Sequence, residues 1–414
     1  MRLKLDWIAR DVANQLWFTV GLYCLLGVTA ALSALFLDRL IPDAVSSRVG
    51  ADAVDRILGI IAASMLAVAT FSISTMVQAF ASAATGATPR AAQLVVEDRT
   101  AQRALATFIG AFVFSLVGLI ALSTGAYGSS GRLILFAATV VVVVLIVVML
   151  LRWIHRLSRL GRLGETIDQV ERAVNKAIDD RRQNPCLGGR RAPLLEPPGT
   201  PVVSRKIGYV RRIDIGGLSR IAERGQFDIC VTALPGTFAT LDRRLAVMVA
   251  CHDDEIAREV ANCFQIGDQR SYEQDPRFGL IVLSEVASRA LSPAVNDPGT
   301  AIDVIGTMVR VLSNWTDGAD CPRDEIKYPR IFVPAVAARD LLDDAVAPIA
   351  RDGAGLVEVG MRLQKAMQAL ANIGNAEMTE AATAHAELAL ARARQALSFA
   401  PDIQRLSSAL TRDT

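Results

Sequence analysis

The sequence predicts an integral membrane α-helical domain of four transmembrane helices followed by a cytosolic α+β domain. Three observations point there. Of 414 residues, 52% are hydrophobic and only 21% charged, an apolar excess that no ordinary soluble domain needs. The charges are also unevenly spread: residues 1–164 hold 14 of the 44 Lys/Arg and 8 of the 42 Asp/Glu, leaving 30 and 34 to the remainder. And within residues 1–164 four stretches carry no charge at all: Val12–Leu37, Ile57–Pro89, Ala104–Gly131 and Leu133–Leu151. A hydrocarbon core about 30 Å thick needs roughly 20 helical residues, so each stretch can span it. Buried helices of a soluble core would have to be apolar all round four times in succession. The first run is too long for the core of a cleaved signal peptide, and three more follow it. A disordered chain is excluded by the apolar content, and nucleic acid is not expected as a partner because neither part is strongly basic.

Orientation follows from the basic residues near the span ends. Arg2, Lys4 and Arg10 precede span one, Arg90, Arg99 and Arg103 join spans two and three, and Arg152, Arg156, Arg159 and Arg162 follow span four. The first connection balances Arg39, Arg48 and Arg56 against Asp38, Asp43, Asp52 and Asp55. Both termini are therefore expected in the cytoplasm, with the bilayer as a partner. Trp7, Trp17 and Trp153 are expected at the same interface, where amphipathic rings prefer to sit. Cys24, Cys186, Cys230, Cys251, Cys263 and Cys321 show no Cys-x-x-Cys pair and suit a reducing compartment as small hydrophobes. With only His155, His252 and His385 available, no metal site and no cofactor is expected.

Span two is not uniform. Ser64, Thr70, Ser74, Gln78, Ser82 and Thr85 fall within an arc of about 120°, while Leu66, Ile73, Val77 and Phe80 are expected opposite. Two roles fit such a face: helix–helix contact through hydroxyls, or a wetted, pore-lining surface. Gln78 tilts toward water, because lipid offers its amide no partner. The 33-residue run is long enough to project beyond the bilayer. After span four, Arg152, His155, Arg156, Arg159 and Arg162 share a second arc, either anchoring in anionic headgroups or ringing a cytoplasmic mouth.

Downstream, Glu165–Arg182 reads as an amphipathic helix with Ile167, Val170, Val174 and Ile178 in one stripe. Residues 183–201, rich in Pro and Gly, read as a linker. From Val202 the period becomes two, and short strands are expected at Val202–Ser204, Gly208–Ile215, Asp228–Ala233 and Leu245–Ala250, with a helix at Leu218–Arg224. Their layout resembles a small barrel-sandwich unit. Asp275-Pro276 and Asp297-Pro298 each pair an Asp cap with a first-turn proline, opening helices toward Leu291 and Asn314. A Pro- and charge-rich connection then leads to a helix near Ala337–Ala350, a helical hairpin (Leu356–Ile373, Glu377–Leu397) and a last helix after Pro401. The parts are thus 1–164 in the membrane, 165–201 as amphipathic helix and linker, 202–265 as a small β-rich domain, and 266–414 as a helical bundle.

The runs Arg270-Ser-Tyr-Glu-Gln-Asp-Pro-Arg-Phe-Gly-Leu280 and Arg289-Ala-Leu-Ser-Pro-Ala-Val-Asn-Asp-Pro-Gly-Thr-Ala301 resemble the signature of the bacterial family catalogued as domain of unknown function 2254. Phe71-Ser-Ile-Ser74, Glu97-Asp-Arg99 and Gly208-Tyr-Val-Arg-Arg-Ile-Asp214 are similar to matching parts of it. Ala83-Ala-Thr-Gly-Ala87 departs from the bulkier residues expected there. The resemblance implies a four-span inner-membrane protein with a cytosolic domain, and no established activity.

No enzyme is expected. Gly216-Gly217 and Gly188-Gly189 lack the spacing of a phosphate cradle. His252-Asp253-Asp254-Glu255 reads as a surface turn, since adjacent side chains point apart. Asn296 and Asp297 are accounted for by capping. What is left is a homo-oligomeric, channel-like conduit for an ion or small solute, with span two lining the path and the cytosolic part regulating it. The alternative is a membrane-anchored sensory or scaffold protein without a conduit. Four spans are few for a monomeric transporter, so a path would be shared around an axis.

Overall fold

The computed structural model describes residues 16–37, 51–96, 98–316 and 326–409. The chain divides into two compact units, Met1–Thr166 and Ile167–Thr414.

The first unit is helical throughout: α1 (Leu16–Leu37), α2 (Ala51–Gly86), α3 (Pro89–Val96), α4 (Arg99–Ser123) and α5 (Ser129–Leu157). Four of these are long and apolar enough to cross a membrane, over Trp17–Ala34, Val54–Gly86, Arg99–Ser123 and Ser130–Leu157. Span three is the hub. Leu105, Phe108 and Ala111 of α4 are buried with Ile61, Met65 and Ala69 of α2 and Ile146 of α5, and Phe114 with Leu58 of α2 and Leu135 of α5. Helix α1 crosses α4 at two glycines. A Cβ added to Gly27 would stand 2.6 Å from the Gly110 carbonyl oxygen, and one added to Gly110 would stand 2.9 Å from that of Tyr23. Small residues at such crossings let dispersion act between backbones, which matters in lipid because no hydrophobic drive separates helix from tail. The Tyr127 hydroxyl donates to the Ala31 carbonyl at 2.8 Å and ties the third connection to α1. The valines of α5, such as Val141, Val144 and Val147, stay exposed, the surface that lipid tails would cover. Trp153 corrects an expectation: it is buried against the α2–α4 contact, while Trp17 is exposed and Trp7 lies outside the described residues.

The second unit is α+β. Helix α6 (Leu163–Gln183) leads into it, followed by β1 (Gly189–Arg191), β2 (Thr200–Val203), β3 (Gly208–Ile213), α7 (Ile215–Gly225), β4 (Asp228–Val231), β5 (Phe238–Ala239), β6 (Arg244–Val249), α8 (Asp254–Ala261) and β7 (Phe264–Gly267). Then come α9 (Pro276–Ala290), α10 (Pro298–Thr316), β8 (Tyr328–Val333), α11 (Ala338–Asp352), α12 (Val357–Ile373), α13 (Ala376–Ala396) and α14 (Ala400–Ala409). The strands form a five-stranded sheet in the order β1-β8-β4-β6-β2 and a three-stranded sheet in the order β5-β3-β7. Ile213, Leu218, Ile229, Leu245, Met248 and Ile331 fill one core between sheets and α7, each side chain contributing about 1.5–3 kcal/mol.

Strand β8 overturns the expected Pro- and charge-rich connection. It lies between β1 and β4, parallel to both. Its Ile331 and Val333 are fully buried, yet they alternate with Pro329, Arg330 and Phe332 over only six residues. So short a period next to proline and charge reads as loop. Strand β1 likewise sits where a linker was expected, and α8 where a turn was.

Candidate functional site

The α2 helix owes its placement to alanine and a few larger apolar residues. Leu58, Ile61, Met65, Ala69, Ser72, Ala79 and Ala83 are buried, spaced three, four or seven residues apart along one face. At about 100° per residue the polar stripe falls on the other side of the helix. Ser64, Thr70, Ser74, Gln78, Ser82 and Thr85 are all exposed from the bundle. The face opposite them is thus the buried alanine stripe, and not Leu66, Ile73, Val77 and Phe80 as expected. Those four are exposed as well and flank the stripe.

Partners divide the stripe into two kinds. Ser64 donates to the Ile60 carbonyl at 2.7 Å, Thr70 to Leu66 at 2.9 Å and Thr85 to Ala81 at 2.8 Å. These hydroxyls are satisfied by their own helix. Ser82 donates to the Gly161 carbonyl at 3.2 Å, across to the turn that follows span four. Ser74 and Gln78 have no hydrogen-bond partner among the described residues. A primary amide left bare in hydrocarbon is costly, so Gln78 calls for water or another chain.

The basic arc beyond span four divides too. Arg152, His155, Arg159 and Arg162 are exposed. Arg156 turns inward instead, its side chain 14% exposed, and forms ion pairs with Asp98 and, at 2.5 Å, with Glu165. Arg159 reaches the other oxygen of Glu165 at 2.8 Å. Both carboxylates are under 10% exposed. Asp98 also caps α4, accepting from the amides of Thr100 at 2.9 Å and Ala101 at 3.0 Å. One guanidinium thus joins the start of span three, the end of span four and the first turn of α6. Its fork geometry suits two carboxylates at once. Basic spacing alone put Arg156 with its neighbours, and neither Asp98, in Glu97-Asp98-Arg99, nor Glu165, in Gly164-Glu165-Thr166, carries a local pattern that marks it as a partner. Leu160 of the same turn packs on Ala79, Ala83 and Ala92. Asp38 and Asp43, expected at the outer end, lie outside the described residues.

The signature runs of the second unit resolve into a structural knot. Asp275 caps α9 through the Phe278 amide at 3.2 Å and is gripped by Arg270 at 2.8 and 3.0 Å. Gly236, at φ +94°, presses its backbone against that pair so closely that a Cβ would overlap it. The Gln274 side chain accepts from the Ile213 amide at 3.0 Å, and its carbonyl accepts from buried Arg181, whose pKa burial pulls down to about 10. Arg277 bridges to Asp340 at 3.0 Å and Asp344 at 2.6 Å on α11. Asp297 accepts from the Thr300 amide at 3.1 Å and the Thr300 hydroxyl at 2.6 Å, the bond that holds its carboxyl below the usual range. Asp253 of the His252–Glu255 cluster caps α8 through the Glu255 and Ile256 amides. Among the described residues no group of His, Cys, Asp and Glu could hold a metal ion. Cys24, Cys230, Cys251 and Cys263 are free thiols, whereas Cys186 is disulfide-bonded, against the expectation that the cysteines act as small hydrophobes.

Uncharacterized proteins of Mycobacterium bovis and Mycobacterium tuberculosis are each 22% identical over 312 residues, which covers 72% of this chain. The chain spans 60% of the length of these curated relatives. No solved structure matches. The model of a family described as predicted membrane protein matches residues 13–369, which take in all four spans and the sheets. The chain belongs to that family, domain of unknown function 2254.

Proposed function

We propose that this protein is a homo-oligomeric, channel-like conduit of the bacterial inner membrane, without enzymatic activity, whose path is lined by the polar stripe of α2 from several copies. Both termini are assigned to the cytoplasm by the basic excess at the span ends. One observation carries the proposal: the stripe faces away from the chain's own bundle, and the Gln78 and Ser74 side chains at its middle bond to none of the described residues. Copies arranged about an axis would turn those stripes toward a common interior, where water satisfies them. The exposed Arg152, His155, Arg159 and Arg162 would stand at its cytoplasmic mouth or among headgroups.

A second reading, a membrane-anchored scaffold, has its own support. Ser64, Thr70 and Thr85 already spend their hydroxyls on their own helix and need no water. The stripe would then be dry contact between copies. Cysteines at Ser74 and Gln78, in a background without free thiols, separate the two. In a conduit they react with small hydrophilic reagents while cysteines at Ile73 and Val77 do not, and Gln78→Leu blocks flux in reconstituted vesicles. Unreactive polar positions with unchanged flux in Gln78→Leu sink the conduit. A monomer by size measurement in nanodiscs removes both readings of the stripe.

A further inference from the structure

Outside the membrane unit, two neighbouring segments make a surface that no role above uses. The Ser204 amide donates to the Arg243 carbonyl at 3.0 Å, and Val203 pairs with Arg244. Gly208 pairs with Ala239, and Tyr209 with Phe238, whose ring meets the Tyr209 ring edge-on at 5.1 Å. Residues 203–209 therefore run beside residues 238–244. Along this lip Val203, Ile207, Phe238 and Leu241 are 42–60% exposed. Interleaved with them stand exposed Arg205, Lys206, Arg243 and Arg244, against a single acid, Asp242. Arg244 spends part of its charge on Glu196 at 3.3 Å. The backbone of the lip is held by its own bonds, Arg243 to Thr240 at 3.0 Å and the Ser204 hydroxyl to the Lys206 carbonyl at 2.6 Å, so these side chains are presented on a set frame.

Apolar tips among basic residues match the boundary of an anionic bilayer. The apolar groups enter the acyl edge while the cations meet phosphates. A soluble acidic partner would satisfy the charges but would not require four bare apolar side chains between them. We propose that this lip docks on an anionic lipid surface. The chain is already anchored by four spans, so the bilayer is always within tethered reach and a modest intrinsic affinity suffices. Each basic residue near an anionic surface multiplies the docked fraction relative to the free one by about fivefold, and the effect fades as salt shortens the Debye length.

Hydrogen exchange of the full chain in nanodiscs tests this, comparing phosphatidylcholine alone with phosphatidylcholine containing phosphatidylglycerol. In anionic discs the amides of Arg205, Ile207, Leu241 and Asp242 exchange more slowly, and high salt removes the difference. The variant Arg205→Glu, Lys206→Glu, Arg243→Glu abolishes it while keeping its thermal midpoint, since all three side chains are exposed. Ile207→Ser with Leu241→Ser weakens the apolar half at unchanged charge. Fast exchange in both discs overturns the proposal. Slow exchange in both, independent of anionic lipid, does so as well and points to contact with a second copy.

Discussion

Arg156 and Asp297 are both charged residues that the sequence offers as candidates for function, and their partners decide what each does. Asp98 and Glu165 are nearly inaccessible, so deleting Arg156 leaves Asp98 with only its two capping amides and Glu165 with only Arg159. Arg156→Ala is expected to cost about 3–5 kcal/mol, read as a lower unfolding midpoint in detergent. Arg156→Lys recovers only part of this, because one ammonium cannot grip two carboxylates as a planar fork does. Arg152→Ala, by contrast, is expected to change stability little. Asp297→Ala should cost about 0.5–2 kcal/mol through the lost cap, measured as a shift in the denaturation midpoint. The carboxyl of Asp297 is depressed, so its contribution is full above the ordinary carboxylate range and is lost as pH falls through its lower folded value. The stability gap between wild type and Asp297→Asn therefore closes below about pH 4. A gap independent of pH would rule out the charged cap.

Among elements, the long ones were legible and the short ones were not. Each span announces itself by some twenty residues without charge, and the Asp-Pro caps at 275–276 and 297–298 open α9 and α10 where expected. Strands β8 and β1 escaped because three to six residues carry too little period to outweigh adjacent proline and arginine. Their partners come from about 100 to 140 residues away along the chain. The crossing of α1 and α4 was equally hidden, since Gly27 and Gly110 form no local motif. Gly110→Leu should prevent the two backbones from meeting and sharply reduce the folded fraction recovered in detergent. Gly21→Leu, with nothing within 4 Å of its added Cβ, should be tolerated. If both behave alike, the crossing does not hold the bundle.

At the scale of the whole molecule, topology remains the decisive experiment. Impermeant thiol reagents should reach a cysteine at Ala126 from outside and one at Thr100 only from the cytoplasm. Reversed labelling would overturn the orientation. The amino-acid sequence by itself determined that the chain carries four helices long and apolar enough to cross a membrane, and a second, ordinary α+β unit. These follow from composition summed over long windows, where lipid and water sort residues without reference to neighbours. Only the tertiary structure decided which face of α2 is buried, that Arg156 turns inward while Arg152, Arg159 and Arg162 stay out, and that the signature runs build a knot of capped helices and buried ion pairs. Those outcomes depend on the one or two residues that each side chain meets after folding. Such neighbours are far apart in the chain and leave no periodic trace in it.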